Sequence, residues 1–355
     1  MTTMPRMSEH IWYTHAPSPT AFGIALRKGW IHEEMARCGV EVRALAASSD
    51  PDVQRLRRER TSPRAFRQGG NVAPLIARSR GNDVRLIGLS RTSSIHPVLA
   101  LPESGYRTAA DLLGRRIAIP VRKNAVVDIP RATALRTVSN LLASAGLTLN
   151  DVELVAIPVE GSYFEARAKP GEPIADAPRE GVAFQVSSAH SNELLALIRG
   201  EVDAIASEGS TAAIIASTFG LTTLEPGRAV NRDLNNRSLL AVTVSGGLLD
   251  RGPGLVTSVL VQILAAAEWS IDEEAEARRL IALDAGIHED LLDAAYSPRV
   301  SRQLGVDLRM DKVADLREQH DFLLDRGIIE RPVDLDEFIE PEPLKTALAR
   351  RGVLV

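Results

Sequence analysis

Seven short runs of aliphatic and β-branched residues recur along the chain, and helical patterns separate them. The runs are IWYT (11–14), VEVRALA (40–46), VRLIGLS (84–90), IAIPV (117–121), VELVAI (152–157), VDAIA (202–206) and LLAVTVS (239–245). Strands that alternate with amphipathic helices favour an α/β fold built on largely parallel sheets. The clearest helix is RATALRTVSNLLASA, 131–145, which puts Leu135, Val138, Leu141, Leu142 and Ala145 on one face. Asp128 and Pro130 precede it as start signals and Gly146 follows as a stop. Segments 11–36 and 117–145 share one plan: a strand, a polar or proline-containing loop, then a helix. This predicts two α/β lobes, with a helical segment from about residue 253 onward.

With 355 residues, 45% of them hydrophobic, the chain can bury a sizeable core. Aromatic residues make up only 4%, so Leu, Val, Ile and Ala must fill that core. The formal charge of -4 comes from interleaved acids and bases, which gives no reason to expect a nucleic-acid partner. A single cysteine excludes an intrachain disulfide and a cysteine-based metal cluster. That residue, Cys38 in RCGVEV, reads as a small buried side chain. The 7 histidines lack HxH or HExxH spacing, and no P-loop, GxGxxG or GxSxG is present, so no metal and no cofactor are expected. No window reaches the roughly 18 apolar residues of a membrane span, so no membrane insertion is expected. The opening MTTMPRMSEHIWYT has no apolar secretory segment, which predicts a cytoplasmic chain. EGSYFEARAKPGEPIADAPREG, 160–181, reads as a surface excursion.

Three loops carry the candidate chemistry. FRQGGNVAPL, 66–75, offers Arg67 as a bidentate partner for an acid group. In the same stretch Gly69 and Gly70 free the backbone to approach an anion, and Asn71 reads as a helix cap. RKNAVVDIPRATAL places Arg122, Lys123, Asn124 and Arg131 near a helix start, where anions are favoured. YTHAPSPTAFGIA supplies Ser18, Thr20 and free amides at the next helix start, with His15 as the one histidine in a candidate loop. Each also has a structural reading: a plain glycine turn, a solvated basic loop and an N-cap. Glu208 and Gly209 end the run GEVDAIASEGS and face either a cleft or the interior.

Taken in order, YT-x-x-P-x-P-T-A, FRQGG-N-x-x-P-L, LIGLS, LLGRRIAIP, RATALR, GEVDAI and FLLDRGIIERPVDLDEFIEP resemble the type 2 periplasmic-binding-protein superfamily. The likeness is to its sulfonate/nitrate-binding and thiamine-pyrimidine-synthase-like branch, and within that to the 2'-hydroxybiphenyl-2-sulfinate desulfinase group. It spans nearly the whole chain. The resemblance implies two α/β lobes around a ligand cleft, with a helical C-terminal segment. It also implies a nucleophilic cysteine, a histidine partner and an anion-holding arginine. Ala16 stands at the cysteine position and Arg57 at the histidine position; Arg67 keeps the third role. The anion-holding part is thus present and the covalent part is not.

The expected architecture is one lobe of residues 1–115 and 235–355 and a second of 116–234. The expected activity is recognition of a small organic anion (sulfonate, sulfinate or carboxylate) in the manner of a transporter's substrate-binding protein. Arg67, Gly69 and Gly70 would hold the acid group; Ala16, Ser18, Thr20, Asn124 and Arg131 would stand around it, with Phe22 and Val121 as apolar lining. The alternative is an intracellular desulfinase-like enzyme, a C–S bond hydrolase or lyase, with His15 as acid/base.

Overall fold

The computed structural model describes residues 9–59, 62, 64–122, 125, 128–159, 190–225, 235, 236 and 238–352. Asn124 and the excursion at 160–181 lie outside the described residues.

Among the described residues, eleven strands form two sheets. They are β1 (Glu9–His15), β2 (Val40–Ala44), β3 (Ala65–Gly70), β4 (Val84–Arg91), β5 (Val98–Ala100), β6 (Arg116–Val121), β7 (Glu153–Pro158), β8 (Ala204–Ala206), β9 (Thr222–Thr223), β10 (Leu239–Ser245) and β11 (Val306–Asp307). The six-stranded sheet has the order β11-β4-β10-β3-β1-β2, and the five-stranded sheet β7-β6-β8-β5-β9. Neighbours β1/β2, β1/β3, β6/β7 and β6/β8 are parallel, as strand–helix alternation predicts. The antiparallel members mark where the chain changes lobe: β5 enters the second sheet beside β8 and β9, and β10 returns between β3 and β4. By sheet membership the outward crossing lies between Arg91 and Val98. The two crossings touch, because the Thr92 amide donates to the Ser238 carbonyl at 2.8 Å.

The helix expected at 131–145 runs Ile129–Ala143, with the Asp128 side chain accepting from the Arg131 amide and Gly146 at φ 73 beyond its end. Strand alternation decides what each face of the first sheet meets. Tyr13, Phe66 and Val244 are register neighbours on one face. Phe22, on helix Ala21–Arg27, packs on that face with ring centroids 6.0 Å from Tyr13 and 5.6 Å from Phe66. Aromatic pairs of this kind contribute about 0.5–1.5 kcal/mol beyond their buried area. Thr14, Arg67 and Thr243 form the adjacent row, pointing the opposite way.

Helix Pro253–Asp272 corrects one expectation. It has mean hydropathy 1.5 and is long and apolar enough to cross a membrane by length and composition alone. In the fold it is a core helix: Val256, Val259, Leu260, Ile263, Leu264, Ala266 and Ala267 are buried in the cluster that includes Phe22 and Ile24. Cys38 is a second correction. It is the C-cap of helix Trp30–Arg37 and is exposed, because it lies past the helix's last residue, in the turn that leads through Gly39 into β2.

Candidate functional site

Helix starts were the natural places to seek an anion site, and each one near a candidate residue is occupied by the chain itself. In helix Ala21–Arg27 the Gly23 amide donates to Thr20 Oγ1 at 2.9 Å and the Phe22 amide to Gln68 Oε1 at 3.1 Å. Thr20 is therefore an N-cap, and these amides are not free for a ligand. Before helix Ile129–Ala143, Asp128 accepts from the Arg122 amide at 2.8 Å and the Arg131 amide at 3.3 Å, and its carboxylate lies 3.7 Å from the buried Arg122 guanidinium. The positive helix end thus receives an internal carboxylate, while the Arg131 residue is exposed. In helix Val72–Ser79 the Val72 amide donates to Asn236 Oδ1 at 2.9 Å.

Asn71 precedes that helix, yet its side chain makes no cap bond. Its Nδ2 donates instead to the carbonyls of Leu239 at 2.9 Å and Asn235 at 3.3 Å. This ties the end of β3 to the chain returning from the second lobe. Asn235 Nδ2 continues the link to Thr137 Oγ1 at 2.7 Å. The expected cap is therefore an interlobe staple.

Gly69 and Gly70 close β3 rather than forming an open anion loop. Their lack of side chains is nevertheless required. A β-carbon on Gly70 would collide with the Asn236 carboxamide. On Gly69 it would lie 2.8 Å from the Ala16 methyl and 2.9 Å from Arg67 Nη2. Both distances are below what a real β-carbon tolerates, so the glycine lets the guanidinium and the first loop approach each other. Arg67 Nη1 donates to the Gly70 carbonyl at 3.0 Å, which holds the side chain against its own strand. The first loop arrives by a tight turn in which the Ser18 amide donates to the Ala16 carbonyl at 2.7 Å. Ser18 is buried, and among the described residues its hydroxyl has no hydrogen-bond partner.

Arg67 borders a cavity of about 50 Å³. Its polar lining is Thr14, Arg57, Ser62, Arg67, Thr243 and Ser245; Leu45, Leu56, Pro74 and Val84 supply apolar wall. Arg57 comes from helix Pro51–Glu59 and is steered by Gln54. The Gln54 Nε2 donates to the carbonyls of Leu45 at 2.8 Å and Ser48 at 2.6 Å, which turns its Oε1 to accept from Arg57 Nη1 at 3.1 Å. The sequence singled out Arg67 and noted Arg57 only as the residue at the histidine position; it assigned no place to the hydroxyls, which follow from register: Thr14 and Thr243 flank Arg67 on the two neighbouring strands. The polar alternation Thr243, Ser245 inside LLAVTVS was the available signal.

His15 is placed elsewhere. It lies under helix Ala21–Arg27, where Gly23 leaves room for it, with Nε2 3.2 Å from Asp284 Oδ2. Arg27 Nε donates to the other oxygen of that carboxylate. Burial alone would raise the Asp284 carboxyl; the His15 and Arg27 charges override that and hold it below the usual carboxylate range. His15 is thus part of a buried ion cluster and does not line the cavity. A further polar group sits at the outward crossing: His96 Nδ1 is 4.0 Å from Glu208 Oε2, both buried, beside Ser94 and Gly209.

A chain of two α/β lobes with paired crossings, and a cavity lined by two arginines beside the start of β3 and β4, has a periplasmic-binding-protein-like fold. The chain is similar to the periplasmic aliphatic sulphonate binding protein SsuA from Escherichia coli, with TM-score 0.63 at 15% identity, covering 94% of this chain and 92% of that one. It is homologous to 2'-hydroxybiphenyl-2-sulfinate desulfinase of Rhodococcus erythropolis, 25% identical over 358 residues, 95% of this chain and 93% of the relative. The crystal structure of the desulfurization enzyme DszB superposes with TM-score 0.73 at 24% identity, covering 97% of this chain and 99% of that one. No family model matches the chain.

Proposed function

We propose that this protein recognises a small organic anion, with sulfonates, sulfinates and carboxylates the first classes to test, and that the acid group is held by the Arg67 guanidinium. The observation that carries the reading is the close approach of Arg67 to Gly69 and Ala16, together with a cavity that Arg67 and Arg57 line and that Gly69 and Ala16 do not. A guanidinium pinned by its own strand carbonyl is pre-organised for a planar, two-point contact with an acid group. At Ala16, where the resemblance puts a nucleophilic cysteine, only a methyl group is available, which favours binding over covalent turnover. A role like that of a transporter's substrate-binding protein agrees with this and with the fold shared with a sulphonate-binding protein.

Desulfinase-like turnover is the second reading, favoured by the 25% identity to the desulfinase over 95% of the chain. It needs a proton-transfer group other than His15, whose ring is committed to Asp284.

The test is calorimetry of the full-length protein with ethanesulfonate, ethanesulfinate and propionate. Binding of at least one that Arg67→Ala abolishes, with an unchanged far-ultraviolet spectrum, supports the site. Unchanged affinity in Arg67→Ala refutes it. Sulfite release from 2'-hydroxybiphenyl-2-sulfinate by the unmodified protein would establish the second reading instead.

A further inference from the structure

We propose that helix Met310–Asp325 bolts the two lobes into one mechanical unit, so that a ligand is taken up without the lobes hinging apart. Relative motion is the default for two lobes of one chain unless a large apolar contact joins them. That contact begins with the pattern of helix Ile129–Ala143, a helix of the second lobe. By helical periodicity Leu135, Val138 and Leu142 fall on one side of it and Thr133, Arg136 and Thr137 on the opposite side, and both sides are buried. The helix rests on β5, β6 and β8 of its own sheet, so its other side meets the rest of the chain. There Thr137 Oγ1 accepts from Asn235 Nδ2 at 2.7 Å, and Arg136 Nη2 donates to Glu318 Oε1 at 2.7 Å. The Arg136 guanidinium also stands 4.6 Å from the centre of the Phe322 ring.

Helix Met310–Asp325 grips both lobes through successive turns. Its first turns sit on the first lobe: Lys312 Nζ donates to Asp307 Oδ2 at 2.9 Å and to the Leu89 carbonyl at 3.4 Å, and Asp315 accepts from Arg91 at the end of β4. Its later turns present Glu318 and Phe322, which share a face at i and i+4, to Arg136 of the second lobe. Beneath these contacts one hydrophobic cluster runs through Leu75 and Leu89 of the first lobe, Leu135 and Val138 of the second, and Phe322 and Leu323 of the joining helix. Opening the lobes would split that cluster and draw a buried guanidinium away from its carboxylate and its ring. The Arg67 cavity agrees with a fixed arrangement. Every residue that lines it belongs to the first lobe, so occupancy there calls for no closure of the second lobe.

Two measurements on the full chain test this. The 3 tryptophans, Trp12, Trp30 and Trp269, all belong to the first lobe. In urea unfolding their fluorescence therefore follows that lobe, whereas far-ultraviolet circular dichroism follows both. The two midpoints should coincide in the unmodified protein, and Phe322→Ala should separate them. Nitroxides on the native Cys38 and on Glu201→Cys, exposed positions in the first and second lobes, should give one narrow interlobe distance by pulsed electron resonance. Phe322→Ala should broaden it. Separate midpoints in the unmodified protein, a broad or double distance in its unliganded form, or a shift of that distance on adding ethanesulfonate would overturn the proposal. Coincident midpoints and a narrow distance that both persist in Phe322→Ala would overturn the part given to helix Met310–Asp325. Each of these failures leaves the Arg67 site standing.

Discussion

The methyl carbon of Ala16 lies 2.8 Å from the point at which Gly69 would carry a β-carbon, and Arg67 Nη2 lies 2.9 Å from that same point. The first loop, the end of β3 and the anion-holding side chain therefore share one glycine-sized space. Gly69→Ala must push the guanidinium or the loop aside. The expected result is a stability loss of about 1–3 kcal/mol in denaturant unfolding, and at least a tenfold weaker affinity for the best of the three acids in calorimetry. Full affinity would show that the close approach has no bearing on recognition.

Asn71 offers a test that separates two roles. As an N-cap it would tolerate Asp, since a carboxylate accepts from helix amides as well as a carboxamide does. As a staple it must donate to the Asn235 and Leu239 carbonyls, which a carboxylate cannot do. Asn71→Asp and Asn71→Ala should both destabilise by about 1–3 kcal/mol or more, because buried carbonyls lose their donor. A midpoint of urea unfolding in Asn71→Asp equal to that of the unmodified protein would restore the capping role.

The buried cluster of His15, Asp284 and Arg27, with Tyr13 close by, sets an acid limit on stability. The folded-state pKa of Asp284 is depressed below its unfolded value of about 3.9. Its contribution is therefore complete above that value and is lost as pH falls from there through the lower folded value. Thermal unfolding from pH 6 downward should show Tm falling more steeply in the unmodified protein than in Asp284→Asn, which starts lower at pH 6. Parallel curves would remove this cluster from the account.

Ala16→Cys should release no sulfite from 2'-hydroxybiphenyl-2-sulfinate. The new thiol would lie near the Arg67 guanidinium, but Arg57 is already protonated and cannot accept the thiol's proton, and His15 is engaged with Asp284. Sulfite appearing at a rate above that of the unmodified protein would reveal a base the cavity lining does not disclose.

Much of the fold was legible from residue pattern alone. LLAVTVS at 239–245 matches β10 to the residue, and helix Ile129–Ala143 begins two residues before its expected start. The short strands β5, β9 and β11 escaped, and so did β3, because Gly69 and Gly70 read as a loop when seen without the partners that pair with them. The hydroxyl row escaped for the same reason, since period-two alternation says which residues share a face and not which strand lies alongside. His15 could not be assigned either: Asp284 is far away in sequence and reaches it only because Gly23 leaves the space. Cys38 misled because a small residue at a helix end reads alike whether it faces in or out.

β10 lies between β3 and β4, and those two strands never pair with each other. During synthesis the first lobe must therefore wait with a gap in the middle of its sheet until residues 239–245 leave the ribosome. Among the described residues the last strand of the second sheet is Thr222–Thr223, so the strands encoded in the middle of the gene are all available before the first sheet can close.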